Sequence, residues 1–142
     1  MLTRTLTEGG LTVNGANILI VDDFPGWREQ VRAILRPHPE WKVVDEACDG
    51  LEGVHKAIQL QPDVVVLDIG LPGVNGIEAA RRIRRRCPKS RIVFLSQDGD
   101  SDIMHAALRV GWAYVLKAKA AVDLCDAIAI SLREAHAAVP RD

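Results

Sequence analysis

Short runs of apolar residues alternate along the chain with longer stretches in which apolar residues recur at helical spacing. Three of the runs, at residues 18–21, 64–67 and 92–95, are uninterrupted and rich in β-branched residues, which is typical of parallel strands buried on both faces. The runs at 43–44 and 113–116 have polar neighbours, which favours the edges of a sheet. The alternation predicts an α/β domain with a doubly wound five-stranded parallel sheet and helices on both faces.

Local signals predict where several of the helices begin and end. Pro25 suits the opening turn of the first helix, because its fixed φ already matches the helical value, and Trp27 is interpreted as a packing side chain of that helix. Asn75, followed by Glu78 three residues later, indicates a capping box at the start of the third helix. The fourth helix is expected to begin after residue 101 and to end at Gly111.

The length of the chain indicates one folded unit. A chain of 142 residues with 48% hydrophobic content is long enough for one core and too short for two ordinary domains. Residues 1–16 lack clear periodicity, so we predict a flexible leader there and the folded domain at 17–138. Residues 139–142 suit a tail or the start of a linker. The chain is therefore either a single-domain protein or one domain of a longer protein, and we favour the second.

Charge and cysteine usage narrow the partners and the location. The formal net charge of −1 provides no general attraction to nucleic acid or to an anionic membrane, and no apolar run is long enough to span a bilayer. Three scattered cysteines without a C-x-x-C pair fit a reducing cytoplasm. The arginine-rich stretch at 81–86 is interpreted as the solvated face of the third helix, with Ile83 inward, and not as a nucleic-acid site.

Reactive or charged side chains follow four of the five predicted strands. Asp22 and Asp23 follow the first strand, Asp68 the third, Ser96 the fourth and Lys117 the fifth. Each of them alone has an ordinary interpretation, such as a helix cap or a turn residue. Because ligands of a doubly wound sheet bind outside the carboxyl ends of its strands, we expect these side chains to converge on one crevice.

The residue types in this crevice indicate phosphoryl chemistry. Three carboxylates repel one another, and a hard divalent cation with oxygen ligands keeps them ionised near neutral pH, so we predict Mg²⁺ as the cofactor. Such a cation would neutralise charge on a phosphoryl group at Asp68, while the ammonium of Lys117 and the hydroxyl of Ser96 hold the other oxygens. In this hypothesis Asp68 is the nucleophile and forms an acyl phosphate.

The motifs around these residues resemble a known family. The segments ILIVDD, VVVLDIGLPGVNGIEA, VFLSQ and YVLK stand in the order found in receiver domains of two-component response regulators. The stretch DIGLPGVNGIEAARRIR is most similar to the subgroup with a helix-turn-helix output domain, the NarL/FixJ/LuxR type. The resemblance covers nearly the whole chain after the leader. It implies the flavodoxin-like or CheY-like (βα)5 fold with strand order 2-1-3-4-5.

The resemblance also implies roles for the residues of the crevice. Asp68 would be the phosphorylation site, and Lys117 would be the lysine that binds the phosphoryl group. Asp23 would bind Mg²⁺ directly and Asp22 would assist through water. Asp68 and the backbone carbonyl of Gly70 would complete the protein ligands of the metal.

Three further residues are implicated in switching by the same resemblance. Ser96 would be the switch hydroxyl, and Tyr114 would be the aromatic side chain whose rotation reports phosphorylation. Gln97 stands where the family commonly has a small residue, so it is expected to alter access to the phosphoryl site and the rate of dephosphorylation. The loop before Tyr114 is one residue shorter than usual, and Ala118 replaces the proline that often follows the lysine.

The function that the resemblance implies is a switch in which Asp68 takes a phosphoryl group from a phosphohistidine of a sensor histidine kinase. The face formed by the fourth helix, the fifth strand and the fifth helix would then repack, with transcription as the expected output. Slow autodephosphorylation is expected, but not the turnover of an enzyme. Ile130 falls off the apolar stripe of the fifth helix, which fits either a homodimer face or an isolated surface residue.

Two alternatives belong to other functional classes. Gln97 and the shortened loop would also fit a degenerate receiver that binds partners independently of phosphorylation. A flavodoxin-like electron carrier or a small hydrolase would share the topology. The turn at residues 22–25, DDFP, lacks the Ser/Thr/Gly-rich phosphate cradle expected of such proteins, which counts against both.

Overall fold

Strands and helices alternate along the computed structural model, which describes residues 4–6 and 12–137. The strands of the main sheet are β1 (Ala16–Val21), β2 (Trp41–Ala47), β3 (Val64–Asp68), β4 (Arg91–Ser96) and β5 (Ala113–Leu116). The helices are α1 (Pro25–Leu35), α2 (Gly50–Leu60), α3 (Gly76–Arg86), α4 (Ser101–Leu108) and α5 (Ala120–Ala137). A short 3-10 turn, Lys117–Lys119, joins β5 to α5. None of these helices is long and apolar enough to cross a membrane.

The five strands form one parallel sheet in the order β2-β1-β3-β4-β5. This confirms the predicted fold and the order 2-1-3-4-5, with the two strands that have polar margins at the edges. The central strand β3 contains Val64, Val65 and Val66, none of which is more than 1% exposed. A continuous apolar strand needs cover on both faces, and the crossover helices provide it.

The residues of the strands supply two separate hydrophobic cores. Leu19 and Val65 belong to the core that also contains residues of α2, α3 and α4. Ile18 and Val64 belong to the core that contains residues of α1 and α5. Because successive side chains of a strand point to opposite faces, each strand contributes to both cores. The sheet is thereby held from both sides, and its carboxyl edge is a firm base for a site.

The start of α3 agrees with the capping signal in the sequence. Asn75 Oδ1 accepts a hydrogen bond of 3.0 Å from the backbone N–H of Glu78, which confirms the predicted N-cap. The reciprocal half of a capping box is replaced by an ion pair, since the Glu78 carboxylate lies 3.1 Å from Arg82 Nε. Helix α1 begins at Pro25, again as predicted.

The end of α4 differs from the prediction, because the helix stops at Leu108 and not at Gly111. The backbone N–H groups of Val110 and Gly111 both donate to the carbonyl of Ala107, at 3.0 and 2.9 Å, which closes the helix in a tight turn. A Cβ atom at Gly111 would lie 2.5 Å from the ring of Phe94. Glycine is therefore required where the chain passes beside this buried ring on its way into β5.

Part of the segment predicted as a flexible leader forms regular structure. Residues Arg4–Leu6 and Thr12–Asn14 pair as a two-stranded antiparallel hairpin, and β1 already begins at Ala16. Strands of three residues are too short to show a recognisable alternation, so the periodicity of the sequence did not reveal them. Residues 1–3, 7–11 and 138–142, including the tail predicted at 139–142, lie outside the described residues.

Candidate functional site

Three carboxylates meet at the carboxyl ends of β1 and β3. Asp22 and Asp23 follow β1, and Asp68 is the last residue of the neighbouring strand β3. One carboxylate oxygen from each residue lies within 4.8 Å of the other two. Asp22 is 2% exposed and Asp68 is 7% exposed, whereas Asp23 is open to solvent. In the described part of the chain, this is the only cluster of three or more Asp, Glu, His or Cys side chains placed to hold a metal ion.

The buried carboxylate of Asp22 is held by the backbone and by one cation. The backbone N–H of Phe24 donates to Oδ1 at 2.9 Å. Lys117 Nζ lies 2.8 Å from Oδ2, yet this oxygen receives no well-directed hydrogen bond from the described residues. We regard the contact as a true ion pair, because attraction between charges depends on distance far more than on direction. The cation that Asp22 Oδ2 faces in this structure is therefore the ammonium of Lys117.

Asp68 is subject to opposing electrostatic effects. The backbone N–H of Gly70 donates to Asp68 Oδ1 at 3.2 Å, and Lys117 Nζ lies 3.6 Å from the same oxygen. Burial raises the pKa of Asp68, and the charge of Asp22 raises it further, against the opposing effects of Lys117 and Gly70. A cation bound among the carboxylates would relieve the repulsion and so favour the ionised, nucleophilic form.

Lys117 directly follows β5, and its ammonium is enclosed by the site. The residue is 8% exposed, and besides the two carboxylates it contacts the indole ring of Trp27, with Nζ 4.9 Å from the ring centroid. The interpretation of Trp27 as a packing residue alone was therefore incomplete. A signal was present in the sequence, since Trp27 lies in the first turn of the helix that follows Asp22 and Asp23. Helical side chains tilt toward the N-terminus, which here faces the strand ends.

Ser96 and Tyr114 meet at a residue that the sequence analysis missed. Ser96 Oγ accepts a hydrogen bond of 3.0 Å from the backbone N–H of Asp98 and lies 3.3 Å from the Asp98 carbonyl oxygen. The Tyr114 hydroxyl donates to the same carbonyl. The two predicted switch residues are thus joined through the main chain of Asp98. No side-chain signal marks this role, because the contribution of Asp98 is made by its backbone.

An open crevice of about 560 Å³ lies at these strand ends. Its lining includes most of the predicted site residues, namely Asp23, Asp68, Gly70, Ser96, Gln97 and Lys117. Asp22 and Tyr114 are outside the lining and contact it through Lys117 and Asp98, respectively. In the described part of the chain no peptide bond is cis, so Lys117 and Ala118 are joined by a trans bond.

The arginine-rich stretch at residues 81–86 lies on α3. It is separate in the sequence from the residues of the crevice, and its apolar residue faces inward. Ile83 is fully buried, as predicted, while Arg81 and Arg85 are exposed. The carboxylate of Glu78 lies within 4.0 Å of the guanidinium groups of Arg81, Arg82 and Arg85. The arrangement agrees with a solvated helix face, and the absence of a nucleic-acid partner there stays a prediction.

Comparisons with known sequences agree with this geometry. Residues 18–129 match the family described as the response regulator receiver domain. The transcriptional regulatory protein LiaR of Bacillus subtilis (strain 168) is 36% identical over 112 residues, which are 78% of this chain and 53% of LiaR. The chain therefore spans about half the length of the curated relatives it matches.

Solved structures show the same relationship. A two-component response regulator of the LuxR family from Aurantimonas sp. SI85-9A1 superimposes with a TM-score of 0.78 at 36% identity, covering 84% of this chain and 86% of that one. The isolated receiver domain of RcsB from Salmonella enterica serovar Typhimurium, with the phosphomimetic BeF3⁻, has a TM-score of 0.79 at 28% identity, covering 84% and 90%. This chain belongs to the family of response regulator receiver domains and is of the NarL/LuxR type.

Proposed function

We propose that Asp68 accepts a phosphoryl group from a phosphohistidine of a sensor histidine kinase. The observation that carries this proposal is the meeting of Asp22, Asp23 and Asp68 with the ammonium of Lys117 at one edge of the sheet. A nucleophilic carboxylate, two further acidic ligands and a cation are thereby within reach of one bound group. A domain that only docked partners would gain nothing from a lysine buried among carboxylates, which is costly to desolvate.

The proposed reaction transfers the phosphoryl group from nitrogen to oxygen. One carboxylate oxygen of Asp68 attacks the phosphorus atom, so that a P–O bond forms while the P–N bond to the imidazole breaks. The imidazole leaves with the electron pair of that bond and takes up a proton from solvent. Lys117, whose Nζ is 3.6 Å from Asp68 Oδ1, is placed to neutralise charge on the transferred oxygens.

We assign Mg²⁺ to the acidic cluster, with Asp23 as a direct ligand and Asp22 as a ligand through water. Asp68 and the carbonyl of Gly70 would complete the protein ligands. Three carboxylate oxygens within 4.8 Å of one another, including one from the exposed Asp23, support this assignment. When bound, the cation would supply neutralisation of charge on the phosphoryl oxygens. The backbone N–H of Phe24 keeps the Asp22 carboxylate in position for this role.

We propose that phosphorylation is transmitted through Ser96, Asp98 and Tyr114 to α4, β5 and α5. A Ser96 hydroxyl that turns toward a phosphoryl oxygen would leave its present contacts with the Asp98 backbone. The Asp98 carbonyl, which also holds the Tyr114 hydroxyl, would then be free to move with the loop. Gln97 is exposed in the lining of the crevice, so we expect it to govern access of water and the rate of autodephosphorylation.

We infer that the complete protein controls transcription. The relatives LiaR of Bacillus subtilis and NarL of Escherichia coli are named as a transcriptional regulatory protein and a response regulator, and the chain matches about half of each. Ile130 on α5 is 47% exposed, which is compatible with a homodimer face. A cytoplasmic location, the absence of a membrane association and the absence of direct nucleic-acid contact by this chain stay predictions. A domain that accepts one phosphoryl group for each signal is not a turnover enzyme.

Binding of beryllofluoride, a phosphoryl mimic, in the presence of Mg²⁺ tests the proposal. Fluorine NMR should show a saturable bound signal for the wild-type protein, which disappears in Asp68→Ala and after removal of Mg²⁺ with EDTA. Asp126→Asn, which changes an exposed carboxylate on α5, should retain the signal. A folded wild-type protein without a bound signal would contradict the proposal. A partner affinity that Asp68→Ala leaves unchanged would favour the phosphorylation-independent module instead.

A further inference from the structure

Trp27 places the face of its indole ring against the ammonium of Lys117. Lys117 Nζ lies 4.9 Å from the ring centroid, within the range in which the ring quadrupole attracts a cation. The ring is half-buried and lines the crevice together with Lys117 and Asp68. Trp27 also packs against the core formed by α1 and α5, which fixes the ring with respect to the sheet.

The contact with the ring differs in kind from the other two contacts of the ammonium. Asp22 Oδ2, at 2.8 Å, lies nearer to Nζ than Asp68 Oδ1 does at 3.6 Å, so the ammonium is paired more closely with Asp22. For Nζ to approach a phosphoryl group on Asp68 as closely as it now approaches Asp22, we expect the ammonium to turn toward Asp68. A π face attracts a cation over a broad area and not along one direction, so the ring can keep contact while Nζ turns. An aliphatic side chain in the same place would offer no such attraction.

We propose that Trp27 is a positioning residue for the phosphoryl-binding lysine. Its ring holds the Lys117 ammonium over the crevice, so that the lysine is shared between Asp22 and the phosphoryl group without being lost to solvent. The inference rests on the proposed acceptance of a phosphoryl group by Asp68. It adds to that function a residue of α1 which does not contact the reacting atoms and acts through Lys117.

Two substitutions separate this role from simple packing. Trp27→Leu keeps an apolar side chain against the α1/α5 core but removes the π face. Trp27→Phe retains a π face in the same place. Urea unfolding of each variant establishes that it is folded before any binding is measured. If Trp27 acts only by packing, both variants should change beryllofluoride affinity according to the side-chain volume they remove. If Trp27 positions Lys117, only the variant without an aromatic face should lose affinity.

Calorimetric titration with beryllofluoride in the presence of Mg²⁺ measures the consequence for the site. We expect Trp27→Leu to weaken beryllofluoride binding roughly two- to thirty-fold, which corresponds to the range known for cation–π contacts, and Trp27→Phe to restore most of the loss. NMR of the metal-free proteins provides a second readout. The ε-methylene protons of Lys117 should be shifted upfield by the ring current in the wild type and in Trp27→Phe, and this shift should be lost in Trp27→Leu.

The outcomes distinguish the two proposals. If wild-type protein binds beryllofluoride and folded Trp27→Leu binds it equally well, the positioning role is overturned while phosphoryl acceptance by Asp68 stands. A Lys117 spectrum that is the same in the wild type and in Trp27→Leu also overturns the positioning role. If the folded wild-type protein does not bind beryllofluoride, the proposed function fails and the role of Trp27 fails with it.

Discussion

Asp22 and Asp68 share a single cation, the ammonium of Lys117, at distances of 2.8 and 3.6 Å. Two buried carboxylates and one ammonium leave a net negative charge even before Asp23 is counted. One lysine therefore does not neutralise the cluster, and the remaining negative charge is what would attract the proposed divalent cation. The lysine and the proposed metal ion would act together in this respect, since each would compensate charge that the other leaves.

Replacing Lys117 with Met removes the ammonium and keeps the length of the side chain. Beryllofluoride affinity in the presence of Mg²⁺ should fall roughly ten- to a hundred-fold, because a hydrogen bond to a charged group contributes about 1.5–3 kcal/mol. Mg²⁺ alone should bind more tightly, since Asp22 and Asp68 lose a competing cation. Calorimetry measures both affinities, and Lys119→Met, at an exposed position, is the control. Unchanged beryllofluoride binding by Lys117→Met would rule out the assigned role.

Glu46 on β2 ties α1 to the sheet through two arginines. Arg28 Nε lies 2.8 Å from the Glu46 carboxylate, and Arg32 also donates to it. Burial raises the pKa of Glu46, but the hydrogen bonds from Arg32 and Arg28 outweigh burial, and the pKa is lower than the ordinary 4.5. A carboxyl whose pKa is lowered by folding stabilises the fold above its unfolded-state pKa. That stabilisation is lost as the pH falls through the folded-state pKa.

Glu46→Gln should therefore reduce the free energy of unfolding by about 1 kcal/mol at pH 7, the size expected for a half-buried ion pair. Below pH 4.5 the Glu46 carboxyl of the wild type becomes neutral in the unfolded chain, as the glutamine of the variant is at every pH. The difference in free energy of unfolding between the two proteins should therefore shrink as the pH falls below 4.5. Urea unfolding at a series of pH values measures this difference in free energy of unfolding. Glu29→Gln is the control, because its ion pair with Arg36 involves a carboxylate that is 67% exposed. A difference independent of pH would show that charge is not the cause.

The sequence allowed the acidic residues and the lysine to be placed together, because the carboxyl ends of parallel strands meet at one edge of the sheet. Asp22, Asp68 and Lys117 each follow an apolar run, so their convergence required no knowledge of packing. The contribution of Asp98 could not be predicted in this way, and for Trp27 the sequence indicates a place in the first turn of α1 but not the direction of the side chain. The contribution of Asp98 depends on the path of a loop, and the direction of the Trp27 side chain depends on the rotation of α1 about its own axis.

Among the elements, the starts of the helices were predictable and the end of α4 was not. Pro25 and Asn75 act within their own turn of chain, so the local sequence contains the whole signal. The end of α4 depends on Gly111, which lies close against the ring of Phe94. Phe94 is 17 positions earlier in the chain, on β4. A contact of that kind belongs to the tertiary structure, and local propensity does not report it.

Helix α3 begins directly against the backbone of Asp68. A Cβ atom at Gly76 would lie 2.3 Å from the Asp68 carbonyl oxygen and 2.6 Å from Ile69 Cα, so only glycine allows this approach. The first turn of α3 thus fixes the main chain of Asp68 from one side. The geometry of the site depends on this element as well as on the strand that carries Asp68.

Gly76→Ala should therefore disturb both the fold and the site. We expect the free energy of unfolding to fall by about 1–3 kcal/mol, as for other overpacked positions, and beryllofluoride affinity to fall with it because Asp68 is displaced. Gly99→Ala is the matched control, since a Cβ atom there would have nothing within 4 Å. Urea unfolding and fluorine NMR measure the two effects. A stable Gly76→Ala protein with wild-type affinity would show that α3 can move away without consequence for Asp68.

At the scale of the whole molecule, the crossover topology gathers groups from both halves of the chain at one edge. Asp22 comes from the first strand of the sheet and Lys117 from the end of the last, yet they lie 2.8 Å apart. The core on either side of the sheet supports this arrangement although the carboxylates repel one another. We expect such a site to reduce the stability of the metal-free fold, and binding of the proposed cation would restore the stability that the repulsion removes.

Asp68→Asn tests this relation between site and stability. Without a divalent cation at pH 7, the variant should exceed the wild type in free energy of unfolding by about 1 kcal/mol, because a neutral amide ends the repulsion by Asp22 and Asp23. The proposed Mg²⁺ would bind the folded wild type at the cluster of three carboxylates, so added Mg²⁺ should narrow or reverse this difference in free energy of unfolding by mass action. Urea unfolding with EDTA and with Mg²⁺ measures this, with exposed Asp126→Asn as control. If wild type were the more stable protein in EDTA, repulsion among the carboxylates would not limit the fold, and the argument for a cation from crowding would lose its support.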